Sequence, residues 1–355
     1  MPLITALRTE LLTLPLRRPW APDVTEMHVI VVEVDSDDGA TGTGVSWTPT
    51  IGAHAVRALL DHDIRSFAVG READARDLWP ALWRRLHEAG SGGITTIAMA
   101  GVDLALWDAE ARRAGTGIAD HLGRRRTRAS TYASGVNLHF SDDELAAQVA
   151  RWVADGHHAV KVKVGRPDLS DDLRRIARVR EIIGAERRLM VDANQRWDLP
   201  RAVRAARALA EFDIEWLEEP LLADDLAGHR ALRGETGVAI ALGENLHTEH
   251  RFSEFLHAGA VDIVQPNVVR VGGITPFLRI AALADDAGVR LVPHLLPDLS
   301  GQLVMALENE TMVEDIDDAS FEALGALRSP GPVRMHGGTL ETTGRPGLGL
   351  RFRRS

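Results

Sequence analysis

Four strand-like stretches recur down this chain, and each stops at an acidic or amide residue. Residues 189–191 lead to Asp192, 214–217 to Glu218, 240–243 to Glu244 and 262–266 to Asn267. The steps between those end residues are 26, 26 and 23. A strand and a helix with their turns take about this length, because eight such units fill roughly 250 residues of a barrel. Polar residues at the C-terminal ends of barrel strands converge on one rim. Three carboxylates gathered there repel one another unless a cation holds them. The spacing therefore predicts a metal-dependent barrel enzyme.

The 355 residues leave room for a barrel plus an addition. A net charge of -10 argues against a nucleic-acid partner, which favours a basic surface. The one basic run, Arg124, Arg125, Arg126 and Arg128, reads as a solvated linker. With no cysteine, disulfides and thiolate zinc sites are excluded, and a metal must be held by oxygen or imidazole. No apolar run approaches the roughly 20 residues of a membrane span. The opening Met1-Pro2-Leu3-Ile4-Thr5 reads as a strand and not as a signal peptide. A cytoplasmic location without a membrane partner is expected.

Residues 1–125 differ in pattern from the rest of the chain. Stretches 3–14, 27–35 and one starting at Gly42 read as an antiparallel meander, with Asp35-Ser36-Asp37-Asp38-Gly39 as a turn. Helical spacing then covers 53–61, 73–89 and 95–114, the last apolar nearly all round, as in a buried helix. This describes an α+β capping domain. From Thr131, strands and helices alternate, which means a parallel sheet. Expected helix starts lie after Ser170-Asp171-Asp172, at a cap on Asp198 and at a cap on Thr275. Seven or eight repeats fit before residue 328, so the sheet closes into a barrel spanning 126–328. The Gly- and Pro-rich segment 329–355 is expected to return to and complete the capping domain.

Each strand end offers a distinct group. Asp192, Glu218 and Glu244 supply three hard oxygen ligands that suit Mg²⁺. One strand earlier, Lys161 and Lys163 lie two apart and so share a face. Two inward ammonium groups depress each other's pKa, a route to a neutral lysine that accepts a proton. Salt bridges from these lysines to the acidic cluster can coexist with that role. His294 ends another strand, 27 residues after Asn267, and Glu314 ends the next.

Taken in order, Lys161-x-Lys163, Val191-Asp192-Ala193-Asn194-Gln195, Glu218-Glu219-Pro220, Gly243-Glu244-Asn245, Val271-Gly272-Gly273 and His294 closely resemble the enolase superfamily. A glutamate as third ligand and a following histidine resemble its mandelate racemase subgroup, not the muconate-lactonizing one. The resemblance spans nearly the whole chain. It implies a modified (β/α)7β TIM barrel under an N-terminal α+β capping domain, and a homo-oligomer. Asp192, Glu218 and Glu244 would bind Mg²⁺, with Lys163 as base, Lys161 beside it and His294 as acid or base on the opposite face. Glu314 matches a protonated, electrophilic carboxylic acid. Ser134, Asn194, Trp20, Arg18 and Trp47 would contact a small carboxylate substrate, the last three from loops around residues 16–27 and 47–51.

Position 267 departs from that pattern, because the subgroup carries Asp there as the partner of the histidine. Asparagine is expected to accept a hydrogen bond from the imidazole through its carbonyl oxygen, without lending charge. His294 becomes a weaker base and, when protonated, a stronger acid. Arg270 also stands where some members have a lysine. A two-base racemase needs the histidine as base, whereas a dehydratase needs mainly an acid. The leading expectation is thus Mg²⁺-dependent dehydration of a sugar acid or related α-hydroxy acid to a 2-keto acid. A racemase or epimerase of a hydroxy or amino acid derivative comes next, then a barrel that binds a small acid without turnover.

Overall fold

The structure, a computed structural model, describes residues 1–21 and 23–354. It opens with an antiparallel meander of β1 (Ile4–Pro15), β2 (Glu26–Ser36) and β3 (Thr41–Thr48). Helices α1 (Ala53–Leu59), α2 (Arg65–Ala68), α3 (Ala75–Leu86), α4 (Ile94–Arg113) and α5 (Ile118–His121) come next. The helix expected over 53–61 ends at Leu59 and passes through a π-helical turn, Leu60–Ile64, into α2. α4 is buried on almost every side because it lies between the meander and the barrel helices.

Eight parallel strands then form the barrel: β4 (Arg128–Ser134), β5 (Ala159–Lys163), β6 (Arg188–Asp192), β7 (Ile214–Glu218), β8 (Ile240–Leu242), β9 (Ile263–Val264), β10 (Arg290–Leu291) and β11 (Met312–Ile316). Seven helices connect them among the described residues, so the arrangement is (β/α)7β. They are α6 (Asp142–Ala154), α7 (Leu169–Ile183), α8 (Leu199–Leu209), α9 (Leu226–Thr236), α10 (Glu249–His257), α11 (Ile274–Asp286) and α12 (Pro297–Leu303). Pairing runs unbroken from β10 down to β4 and on to β11. Between β10 and β11 the Thr311 hydroxyl donates to the Leu291 carbonyl. No helix is long and apolar enough to cross a membrane among the described residues.

The segment expected to return to the capping domain divides its contacts. A hairpin of β12 (Val333–His336) and β13 (Thr339–Thr342) pairs antiparallel with the N-terminal half of β4, extending the barrel sheet. Only the stretch after it reaches the capping helices, where Leu348 N–H donates to Asp108 Oδ1 (2.7 Å). The arginine run is not a free linker either: Arg124 pairs with Asp120 and Arg128 with Glu341.

Strand periodicity builds the interior. Tyr132, Ala159, Met190, Trp216, Ala241, Ile263, Val292 and Met312, from eight successive strand positions, form one buried apolar plug along the axis. Alternate residues share a face. Two residues further on, one layer nearer the C-terminal rim, stand Ser134, Lys161, Asp192, Glu218, Gln265, His294 and Glu314. A polar layer thus sits directly on a dry one.

The capping domain is latched to this barrel at the start of α11. Asp103 of α4 accepts from Thr275 N–H (3.0 Å), and Trp107 Nε1 donates to Thr275 Oγ1 (3.0 Å). Thr275 is therefore not the cap: α11 begins one residue earlier, and a carboxylate from another helix satisfies its first donors. A Cβ on Gly273, at φ +112°, would lie 2.3 Å from Asp103 Oδ2, so this latch requires glycine there. α7 also starts earlier than expected, because Asp168 accepts from Ser170 N–H and caps it. Asp172 is left to turn inward and accept from Gly165 and Arg166 N–H.

Burial pushes the Asp103 carboxyl up to about 7, against the hydrogen bonds from Thr275. A raised folded-state pKa means that the associated stability is complete below the ordinary carboxylate range and is lost as pH rises through about 7. Asp103→Asn keeps an acceptor for Thr275 and carries no charge. Its melting temperature is expected to rise relative to the parent as the buffer moves from about pH 5 to about pH 8. A pH-independent difference between the two proteins would count against this reading of the latch.

Candidate metal centre and active site

Asp192 at the end of β6, Glu218 at the end of β7 and Glu244 just after β8 bring one oxygen each within 4.8 Å of one another. All three are buried. Glu244 breaks the two-residue alternation that places the others. The interior position after Ala241 is Gly243, and a Cβ there would meet the Gln265 backbone nitrogen at 2.7 Å. The tight passage turns the chain so that Glu244, one residue on, reaches the cluster. Three hard oxygens in a buried pocket fit a small divalent ion such as Mg²⁺.

The carboxylates are individually held. Glu218 Oε2 accepts from Gln265 Nε2 (2.7 Å) and Trp216 Nε1 (3.1 Å). Asp192 Oδ1 accepts from Asn194 N–H (2.8 Å). Burial pushes Glu218 up to about 8, partly offset by the Lys161 ammonium. Burial also opposes ionisation of Asp192, but Lys163 and Lys161 outweigh it and hold that carboxyl below its usual range.

Both lysines point into this layer and are paired. Lys163 Nζ donates to Asp192 Oδ2. Lys161 Nζ lies 2.6 Å from Glu218 Oε1 and 2.8 Å from Glu314 Oε1. Their mutual repulsion does not decide their charge here. Burial lowers each pKa, but the facing carboxylates raise Lys163 and raise Lys161 well above the ordinary lysine range. The neighbours of Glu314 favour its ionised form over the protonated acid expected of it. Burial opposes its ionisation, and Lys161 followed by His294 outweighs burial and holds it well below the carboxylate range. It also lies inside β11 and not at the strand's end.

His294 lies three residues beyond β10, with its Nε2 3.1 Å from Glu244 Oε2 and 3.9 Å from Glu314 Oε2. Burial pushes its pKa down, against those two carboxylates. Asn267 is its neighbour, as expected, but with the opposite polarity. The Asn267 carbonyl oxygen already accepts from Val269 N–H (3.0 Å) and Arg270 N–H (3.2 Å). Its amide nitrogen faces His294 Nδ1 at 3.2 Å.

The residues expected to contact substrate are scattered. Asn194 is spent on Asp192. Ser134 lies in register with Lys161, and its hydroxyl is buried without a partner among the described residues. Trp47 is buried under the rim, its ring centroid 5.9 Å from the Arg270 guanidinium carbon. Arg18 stacks on Phe140 at 3.4 Å and pairs with Glu144 (2.8 Å). Together with Trp20 it lines a cavity of about 360 Å³ that shares no lining residue with the carboxylate cluster. Pro22, in the same loop, lies outside the described residues.

Residues 10–123 match the mandelate racemase/muconate lactonizing enzyme N-terminal domain, and residues 144–355 match the enolase C-terminal domain-like family. The second match alone covers more than half of the chain. The chain belongs to the enolase superfamily, in its mandelate racemase/muconate lactonizing enzyme family. Within it, the chain is 37% identical over 353 residues to a 3,6-anhydro-alpha-L-galactonate cycloisomerase of Streptomyces coelicolor, covering 98% of this chain and 96% of that protein. A crystal structure of a racemase from Streptomyces coelicolor with bound magnesium superposes with a TM-score of 0.93 at 36% identity, over 99% of this chain and 97% of that one. An L-talarate dehydratase from Polaromonas, complexed with Mg and L-glucarate, gives 0.89 at 35% identity, over 99% and 96%.

Several groups of this enolase-superfamily site have little or no signature in the sequence. Gln265 carries a usable one, since it stands two residues after the plug residue Ile263. Glu219 takes two hydrogen bonds from Asn245 Nδ2 (3.0 and 2.8 Å), and burial with the Glu244 and Asp192 charges pushes its pKa well up. Nothing in its place in Glu218-Glu219-Pro220 separates that role from an ordinary turn. Arg270 donates to the Glu244 carbonyl (2.8 Å) and braces the third ligand from behind.

Adding Mg²⁺ is expected to raise the melting temperature in a concentration-dependent way, worth about 2.7 kcal/mol at a hundredfold excess over the dissociation constant. Asp192→Asn should lose that response. An undiminished Mg²⁺ response in this variant would place the ion elsewhere.

Proposed function

We propose that this enzyme removes the proton α to the carboxylate of a sugar acid and expels the oxygen on the β carbon, which takes up a proton and leaves as water or as an alcohol, giving an enol that tautomerises to a 2-keto acid. One observation carries the reading. A buried arc of three carboxylates on successive strands is flanked by Lys163 at one end and by His294 at the other. Asp192, Glu218 and Glu244 would hold Mg²⁺. When bound, that ion supplies the positive charge that offsets the second negative charge developing on the substrate carboxylate.

The remaining work falls to side chains. Lys163 serves as base. Lys163 is raised by Asp192, Glu244 and Glu218; with all three committed to the cation, burial and the Lys161 ammonium, which both favour the neutral amine, would act with less opposition. Lys161 keeps its charge, since Glu218 and Glu314 both support it, and offers a donor to the substrate carboxylate. Glu314 orients Lys161 and accepts from Leu295 N–H (3.0 Å). His294 stands at the far end of the arc, facing the departing oxygen. Its low basicity favours elimination over a two-base racemisation.

The departing oxygen can be a free hydroxyl, as in a dehydratase, or a ring oxygen, as a cycloisomerase acting on an anhydro sugar acid requires. Dehydration is the first reading. The second is favoured by the 37% identity to a cycloisomerase along the whole chain. The two are told apart by mass, since dehydration loses water and ring opening yields an isomer. A panel of aldonic, aldaric and anhydro sugar acids with Mg²⁺, assayed for 2-keto acid, should identify at least one substrate. With it, Lys163→Ala is expected to lower turnover by about 10²–10⁴-fold and to stop exchange of the α hydrogen with solvent deuterium. Exchange that survives in this variant would remove Lys163 from the role of base.

A further inference from the structure

Asn267 and His294 meet on the side of the imidazole turned away from the carboxylates. An amide can be read either way round, but here the backbone decides it. Two N–H groups, Val269 and Arg270, donate to one end of the amide, so that end is the oxygen. The other end, the NH₂, has no lone pair to offer and only donates. It faces Nδ1 at 3.2 Å, so Nδ1 accepts. A neutral imidazole whose Nδ1 accepts carries its proton on Nε2.

We infer that Asn267 is a positioning residue that holds His294 in its Nε2–H form, so that the ring meets the substrate as a hydrogen-bond donor and α-hydrogen exchange is confined to the Lys163 face. A carboxylate at position 267 keeps the two backbone donors on one oxygen and reverses the polarity of the contact to Nδ1. It accepts from Nδ1–H, and the lone pair of Nε2 is then turned into the site as a base. The single exchange of oxygen for nitrogen thus selects between a donor and an acceptor at the reacting edge. The consequence for exchange rests on the elimination reading above; the assignment of the tautomer does not.

The test uses the full-length protein with ¹⁵N-labelled histidine, with and without Mg²⁺. The His294 signals are identified by their loss in His294→Gln. The parent is expected to show a protonated Nε2 and an unprotonated Nδ1. In Asn267→Asp the Nδ1 proton should appear. A parent spectrum with Nδ1–H overturns the inference, and so does an unchanged tautomer in the aspartate variant. Should that variant fail to fold, the parent spectrum alone decides. Because the spectrum needs no turnover, a failed substrate screen leaves this result standing, and a wrong tautomer leaves the elimination reading to its own assay.

Discussion

Two lysines and three carboxylates crowd one buried stretch of the barrel, and each lysine is tolerated there because a carboxylate stands beside it. An isolated ion in such a place is costly, and breaking a buried pair by removing one partner costs about 3–5 kcal/mol. The pairs are Lys163 with Asp192, and Lys161 with Glu218 and Glu314. The layer beneath is dry, built from Tyr132, Met190, Trp216 and their neighbours, so no water reaches the charges from below. The polar layer is therefore open to exchange only at the rim. Under the proposed function, Asp192, Glu218 and Glu244 would hold a divalent cation there, and Lys163 would then be free for proton chemistry.

The capping domain completes this arrangement from outside. Its helix α4 places Asp103 at the first donors of α11, and Trp79 Nε1 donates to the Gly272 carbonyl (2.9 Å). These contacts lie on the segment that runs from Asn267 through Arg270 and Gly272 to Thr275. The same segment supplies the two N–H groups that orient the Asn267 amide, and the guanidinium that backs Glu244. Domain docking and the polarity of the His294 contact are thus set by one short stretch of chain.

Much of this was legible in the sequence because strand periodicity has a fixed phase. Once the plug residues are placed, Lys161, Asp192, Glu218, His294 and Glu314 stand two positions later. Glu244 broke that phase and was still found, because spacing and a flanking glycine marked it. The charge states are only partly legible: the sequence admits salt bridges from Lys161 and Lys163 to the acidic cluster, but not their weight against the mutual repulsion. The orientation of Asn267 is not legible, since it depends on backbone N–H groups two and three residues on. The resemblance implies that Arg18 and Trp20 reach the site from their loop; in the fold Arg18 stacks on Phe140 and both residues line a separate cavity. Loop placement depends on tertiary contacts that no local pattern encodes.

The proposed function turns on an exchange of partners within the buried layer, and a crystal structure of the Mg²⁺-loaded protein tests it most directly. The expected result is an ion bound by one oxygen each from Asp192, Glu218 and Glu244, with Lys163 Nζ withdrawn from Asp192 and Lys161 still held by Glu314. An ion bound outside these three carboxylates, or Lys163 still paired with Asp192 beside the bound ion, would contradict it.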